Sequence, residues 1–241
     1  MRLLATVSAM TILALLIFAV HGSLQAQQRF KKGERGMGGG QEQAITPSSL
    51  QPVFPRQARC AEIASPYGSQ TRYDGSIRPK WAFGGYHGGI DISLAEGTPL
   101  LSLAAGTVVG KGEGGMLEGI YLWLRHAPEE TGLAYWVYAK YQHLESMPEL
   151  EAGAKVAMAQ VIARSGKTGT VGGHYGAWGY PHLHLTTRKS SIGDESIRGT
   201  LFDPLEIYYQ SGAAIIPYAS TDGKLAPPGT RVVWPVACHP Q

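Results

Sequence analysis

The sequence is poor in charge and in cysteine, and both shortages limit what the protein can be. Charged residues make up 16% of the 241 positions and the formal net charge is +3. No run of lysine or arginine is long enough to mark a nucleic-acid interface, so no nucleic-acid partner is expected. The two cysteines, Cys60 and Cys238, fit no metal-binding spacing. A hydrophobic fraction of 44% still provides for one well-packed core, which excludes a disordered chain.

Only one apolar run is long enough to span a membrane. Arg2 precedes an apolar stretch over residues 3–20, and Ala26 suits the position before a cleavage point. We interpret residues 1–26 as a signal peptide, with an uncleaved anchor over residues 3–20 as the alternative. The rest of the chain is therefore expected in the periplasm or outside the cell. Export permits a disulfide between the two cysteines, and two unrelated buried thiols are the alternative.

Composition divides the exported part into three segments. Residues 27–58 are rich in Gln, Gly, Ser and Pro without apolar periodicity, and they predict a flexible linker. Residues 59–210 carry the ordered domain. Residues 211–241 form a C-terminal extension with one further strand candidate, TRVVWPVACH.

Short β-like runs punctuated by glycine fill the domain. They read GIDIS, TPLLSLA, GTVVGK, GIYLWLRHA, LAYWVYAKYQHL, AKVAMAQVIARSG and PHLHLTTR. Long βα alternation is missing, which favours a mostly antiparallel β-sheet folded into a sandwich or half-barrel. Only HLESMPELEAG, residues 143–153, has a helical pattern.

Two histidine motifs predict a metal site. In PHLHL, His182 and His184 are two apart and share one face of a strand. In HGGID, His87 and Asp91 are four apart, which also places them on one face of an extended segment. Together with His184 they supply two imidazoles and one carboxylate, a catalytic zinc pattern that leaves a fourth position for water. Two surface histidines on a half-buried strand are the alternative explanation for PHLHL alone.

Four motifs in order, HGGID, YQHL, SGKTG and PHLHL, resemble those of the lysostaphin and LytM type of zinc metalloendopeptidases. The resemblance covers about residues 60–210. It implies an antiparallel β fold of the LytM (duplicated hybrid motif) type, with loops that wall a groove, and hydrolysis of peptide bonds in peptidoglycan. It assigns His87, Asp91 and His184 to one zinc ion. It assigns His143 and His182 to catalysis without ligation.

In the implied mechanism, zinc makes a bound water more acidic, and histidines accept and donate the protons. No HExxH helix supplies a glutamate base, so His143 and His182 are the candidates for proton transfer. The sequence does not assign a separate role to each of them. The substrate is expected to be a peptide of peptidoglycan, either a glycine bridge or a stem cross-link. A regulatory protein partner is not identified by any motif.

The segment TVGGHYGAWGY, residues 170–180, is longer than its counterpart in the family and is expected at the groove wall. Tyr175, Trp178 and Tyr180 are candidates to stack on substrate, with packing of the loop onto the domain as the alternative for Trp178. His174 is a further polar candidate. In addition, Tyr67 and Arg72 match the opening motif and are expected to line the groove, whereas His126 is interpreted as structural.

The alternative function is non-enzymatic. Relatives of this fold that have lost their zinc ligands activate or scaffold other cell-wall hydrolases. All five expected histidine and aspartate positions are filled here, which favours catalysis.

Overall fold

The computed structural model describes residues 45–115, 117–170 and 180–240. The predicted signal peptide and much of the predicted linker therefore lie outside the described residues, as do His174, Tyr175 and Trp178. None of the helices in the described part of the chain has the length and apolar character needed to traverse a lipid bilayer.

Strands dominate the described residues. They are β1 Ala58–Arg59, β2 Ile63–Ser65, β3 Ile90–Ser93, β4 Pro99–Leu101, β5 Gly106–Glu113, β6 Ile120–His126, β7 Trp136–Gln142, β8 Lys155–Val156, β9 Val161–Arg164, β10 His182–Ser190, β11 Thr200–Phe202, β12 Tyr218–Ala219, β13 Leu225–Ala226 and β14 His239–Pro240. Two short helices, α1 Pro128–Thr131 and α2 Glu206–Gln210, and a 3-10 turn at Phe83–Gly85 complete the secondary structure.

One eight-stranded sheet carries the fold. Its order is β2-β3-β10-β7-β6-β5-β8, with β11 pairing to the second half of β10, and its pairs are antiparallel. Smaller two-stranded pairs are β1 with β14, β4 with β9 and β12 with β13. The predicted antiparallel β fold is confirmed. The long strands are the glycine-punctuated runs of the sequence, because alternating apolar residues can bury one face of a sheet.

The alternation in β3 and β10 separates the core from a polar face. The residues that point into the core are fully buried, and they are Ile90, Ile92, Leu183 and Leu185. Their neighbours Asp91, His182 and His184 therefore lie on the opposite face of the sheet. The strand pattern thus positions three polar side chains together without any loop.

Residues 45–58 pack against the domain, although the sequence predicted a flexible linker there. Ile45 is 5% exposed, and the ring of Phe54 meets Trp234 edge to face at 5.2 Å between centroids. The amide of Ile216 also donates to the carbonyl of Val53 at 2.8 Å. A few scattered apolar side chains are enough to dock this segment, and they have no periodicity that a sequence pattern could reveal.

A disulfide joins Cys60 to Cys238, which are 178 positions apart in the sequence. It stands beside the β1–β14 pair, in which Arg59 is opposite His239. The C-terminal extension is therefore attached to the start of the domain by both a covalent bond and a strand pair.

Two secondary-structure predictions are wrong. Residues 143–153 contain no helix, because their backbone groups bond elsewhere: the amide of Glu145 donates to the carbonyl of Arg164 and that of Gly153 to the carbonyl of Val108. TRVVWPVACH is not one strand. Pro235 interrupts it, and only isolated bridges at Val236 and Cys238 precede β14.

Candidate metal centre

Adjacent strands and one loop bring His87, Asp91 and His184 together. The antiparallel register of β3 and β10 places Asp91 directly opposite His184, and His87 approaches from the turn before β3. His184 Nδ1 lies 2.7 Å from Asp91 Oδ1 and 3.0 Å from His87 Nε2, and the last two atoms are 3.1 Å apart. Three potential ligand atoms therefore form a small triangle.

This triangle fits a divalent metal such as zinc. Zinc–ligand distances of about 2.0–2.1 Å in a tetrahedral site place ligand atoms roughly 3.3 Å apart. The observed separations are a few tenths of an ångström shorter, so a small outward movement suffices. His87 and Asp91 are 2% and 6% exposed, and burial of three converging ligand atoms is otherwise costly. His87, Asp91 and His184 form a group of ligand atoms within 4.8 Å of one another.

Both candidate histidine ligands are oriented by a second contact. His87 Nδ1 donates to the carbonyl of Pro66 at 3.0 Å, which directs the lone pair of Nε2 toward the triangle. His184 Nε2 is 2.9 Å from Thr186 Oγ1, and its Nδ1 faces the triangle. Such outer contacts fix the ring orientation and the tautomer of metal-binding histidines.

Gly89 in the HGGID motif is required by close backbone approach. A Cβ atom at this position would lie 2.3 Å from the carbonyl oxygen of Leu185 and 2.9 Å from His184 Nε2. Both distances are shorter than a van der Waals contact, so only glycine permits β3 and β10 to pair tightly at the site. The motif thus combines two candidate ligands, His87 and Asp91, with the glycine that lets them approach the third candidate, His184.

His143 and His182 stand beside the triangle. Their ring centroids are 4.6 Å apart, and His182 Nε2 lies 3.6 Å from Asp91 Oδ1. Each Nδ1 donates to a carbonyl, from His143 to Thr168 at 2.8 Å and from His182 to Tyr180 at 2.7 Å. In the neutral rings, Nε2 is therefore the unprotonated nitrogen.

The backbone of His143 has a φ of 62°, in the left-handed region that non-glycine residues rarely adopt. The contact of its ring with the carbonyl of Thr168 and the bond from the amide of Gly166 to its carbonyl hold this conformation. Strain of this kind concentrates at functional sites. The position of His143 is thus enforced at some conformational cost.

The protonation states suit metal binding. Burial works to raise the pKa of Asp91, but the adjacent imidazoles of His87 and His184 outweigh it and hold that pKa well below its usual range. Burial lowers the pKa of His184 to about 4. Burial, with the neighbouring His182 and His184, lowers the pKa of His143 to about 3. At neutral pH the Asp91 carboxylate is therefore charged and the His184 ring is neutral, as metal coordination requires, and the His143 ring is neutral as well.

Other predicted site residues have different positions. Tyr67 is 7% exposed and packs in the hydrophobic core, and burial raises its pKa to about 12. The Arg72 guanidinium donates to Ser76 Oγ and to the carbonyl of Ile77, within its own loop. His126 is fully buried in β6 and donates to the carbonyl of Ala105 at 2.7 Å.

Tyr180 lies beside the candidate site and stacks on Tyr73, a residue that the sequence analysis did not identify. Its ring stacks on Tyr73 at 4.6 Å and on His182 at 5.1 Å between centroids. Its hydroxyl bonds to Ser93 Oγ. Tyr180 therefore packs against a predicted catalytic histidine, and Tyr73 extends this ring stack toward the surface.

Sequence reasoning also missed Ser65 and Arg78, which contact the ligand residues from β2 and from the loop before β3. Arg78 Nη2 lies 3.6 Å from Asp91 Oδ2, and Ser65 Oγ lies 3.3 Å from His87 Nδ1. Neither residue has a spacing that relates it to the histidine motifs. Only the folded arrangement identifies them.

Residues 85–202 match the sequence profile of peptidase family M23. A curated relative from Haemophilus influenzae, described as an uncharacterized metalloprotease, is 36% identical over 135 residues, which cover 54% of this chain and 23% of that relative. The chain thus spans less than a quarter of the length of that relative.

Solved structures show a more distant likeness. The catalytic domain of the antimicrobial peptidase lysostaphin from Staphylococcus simulans has a TM-score of 0.45 and 24% identity, and the match covers 62% of this chain and 92% of that one. The catalytic domain of the prophage-encoded M23 protein EnpA from Enterococcus faecalis has a TM-score of 0.42 and 22% identity, over 65% of this chain and 96% of that one.

Proposed function

We propose that this chain, which belongs to peptidase family M23 through residues 85–202, is a zinc metalloendopeptidase that hydrolyses peptide bonds in bacterial peptidoglycan. The observation that carries the proposal is the convergence of His87 Nε2, Asp91 Oδ1 and His184 Nδ1 within 3.1 Å of one another. Peptidoglycan is proposed as substrate because of the four motifs that resemble the lysostaphin and LytM type.

One zinc ion per chain is proposed, held by His87, Asp91 and His184. The donor set of two neutral imidazoles and one carboxylate is that of a catalytic rather than a structural zinc site. When bound, the metal would supply Lewis acidity, polarising the scissile carbonyl and making a coordinated water more acidic. Every other chemical step belongs to side chains of the protein.

His143 and His182 are proposed to move the protons. Attack of water on the scissile carbonyl releases one proton, and departure of the amine consumes one. Each ring has Nδ1 committed to a carbonyl, which leaves Nε2 as the proton acceptor. The proton that one ring accepts from the attacking water is the proton that the departing amine requires, so the two requirements balance. Burial lowers the pKa of His143 to about 3, so its ring is neutral at neutral pH.

Export to the cell envelope is part of the proposal. It rests on the sequence of residues 1–26 and is supported by the Cys60–Cys238 disulfide, since such bonds persist in oxidising compartments. N-terminal sequencing of the protein from the envelope fraction is expected to begin at Gln27. A sequence beginning at Met1 would instead indicate an anchor.

The function is tested by incubating purified protein with peptidoglycans of several cross-link types and identifying released fragments by mass spectrometry. Chelated and zinc-restored samples are run in parallel. Zinc-dependent new amine ends establish an endopeptidase and name the bond. No release from any substrate, despite bound zinc, contradicts the catalytic proposal and favours a regulator of other hydrolases.

Single substitutions separate ligands from proton carriers. We expect His184→Ala to lose bound zinc, whereas His182→Ala retains zinc and loses most turnover. Metal content is measured by mass spectrometry, and turnover by fragment release. The matched control is His239→Ala, which changes an exposed histidine in β14. Equal loss of zinc in both site variants would contradict the assignment of His182.

A further inference from the structure

We propose that Arg78 is a positioning residue that holds the Asp91 carboxylate in a one-oxygen binding mode, with Ser65 as its support. The inference rests on the proposed function, because it presumes that Asp91 binds a metal. It concerns a part of the chain before residue 85, outside the family match.

The two oxygens of Asp91 have different partners. Oδ1 faces the imidazole nitrogens, at 2.7 Å from His184 Nδ1 and 3.1 Å from His87 Nε2. Oδ2 faces Arg78 Nη2, at 3.6 Å. The Asp91 carboxylate therefore faces the two imidazoles through Oδ1, while the Arg78 guanidinium attracts Oδ2 away from them.

Burial makes this ion pair effective. The side chains of Arg78 and Asp91 are 15% and 9% exposed, so water screens their attraction weakly. A guanidinium is permanently charged and presents donors in a fixed plane, which suits it to orient a carboxylate. The pair therefore restrains rotation of the carboxylate toward a two-oxygen geometry.

Ser65 connects Arg78 to a second ligand. Its hydroxyl oxygen accepts a hydrogen bond from Arg78 Nη2 at 2.8 Å and lies 3.3 Å from His87 Nδ1. In the sheet, Ser65 of β2 is paired with Asp91 of β3, and it is buried. One hydroxyl thus contacts both the cation behind Asp91 and the ring of His87.

The consequence concerns coordination number. With one carboxylate oxygen engaged, His87, Asp91 and His184 provide three ligand atoms, and a tetrahedral metal keeps a position for water. If Asp91 supplied both oxygens, that position would be crowded. Arg78 would thereby keep open the coordination position that the attacking water needs.

The test compares Arg78→Ala with Arg78→Lys and with Arg72→Ala. Arg72 is the matched control, because its guanidinium bonds to Ser76 and Ile77 in the same loop and not to a ligand residue. Zinc affinity is measured by competition with a chromophoric chelator. Coordination is measured by the visible absorption of the cobalt(II)-substituted protein.

For Arg78→Ala we expect zinc affinity to fall by about 10- to 100-fold, the usual effect of removing an outer partner of a metal ligand. We also expect weaker cobalt absorption bands, since the released carboxylate raises the coordination number. Arg78→Lys should recover part of the affinity and the band intensity. Arg72→Ala should behave as the unmodified protein.

Several results would overturn the inference. Unchanged zinc affinity and an unchanged cobalt spectrum in Arg78→Ala would remove any positioning role. An equal effect of Arg72→Ala would show that loop order, and not the contact with Asp91, controls the site. If the unmodified protein binds neither zinc nor cobalt, the proposed function fails as well. Zinc binding with no sensitivity to Arg78 refutes this inference alone.

Discussion

His126 should make the domain lose stability as the pH falls below neutral. Its side chain is fully buried in β6, and its Nδ1 donates to the carbonyl of Ala105. Its Nε2 is buried without a hydrogen-bond partner in the described part of the chain. Burial lowers the pKa of His126 to about 4. In the unfolded chain an exposed histidine titrates near pH ~6.5.

The sign and size of the effect follow from this difference. Because the folded pKa is the lower one, stability is complete above pH ~6.5 and is lost as the pH falls toward 4, where the unfolded chain binds a proton that the folded one does not. The loss due to His126 is about 2 kcal/mol between pH 7.5 and 5, and about 3 kcal/mol by pH 4.

Urea unfolding at pH 7.5, 6 and 5 measures this loss, with chelator present so that metal release does not contribute. His126→Asn keeps an amide donor for the carbonyl of Ala105 and removes the titrating ring. We expect the variant to be less stable at pH 7.5, because it leaves a small cavity, but to lose about 2 kcal/mol less than the unmodified protein between pH 7.5 and 5. His239→Asn, at an exposed position in β14, is the control for the substitution itself. Identical pH dependence in His126→Asn and in the unmodified protein would refute the reasoning.

Two further variants test features of the fold. Gly89→Ala should abolish high-affinity zinc binding and destabilise the domain by about 1–3 kcal/mol or more, because the added methyl group collides with the carbonyl of Leu185; normal zinc content in this variant would contradict the close approach of β3 and β10. Cys60→Ala together with Cys238→Ala should lower the free energy of unfolding by about 2–5 kcal/mol, since a long loop is no longer closed in the unfolded chain. The same urea midpoint with and without the disulfide would show that packing of the two ends is sufficient.

Much of the site was accessible from the sequence because it is built on strand periodicity. The alternation in PHLHL predicts that His182 and His184 share a face, and the structure places both on the polar face of β10. The even spacing in HGGID predicts that His87 and Asp91 act together, although His87 reaches the site from a turn and not from β3 itself. Local patterns work here because the register of two neighbouring strands converts them directly into proximity.

The remainder depends on contacts between distant segments. Arg78 meets Asp91 only because the loop before β3 folds back onto the sheet, and nothing in its local sequence distinguishes it from Arg72. Residues 45–58 have a composition typical of a linker, yet Ile45 and Phe54 find places in the core. Residues 143–153 have helix-forming side chains, but the strands around them take their backbone hydrogen bonds. Such outcomes are decided by tertiary pairing and burial.

The bond between Cys60 and Cys238 has a mechanical consequence. Arg59 and His239 pair next to it, so the segments before Cys60 and after Cys238 lie side by side at this bond. A pulling force applied between residues 60 and 238 is borne by a covalent bond and not by the hydrogen bonds of the eight-stranded sheet. Peeling the sheet open from its ends would require that bond to break first. His87, Asp91 and His184 are thereby shielded from tension on the chain.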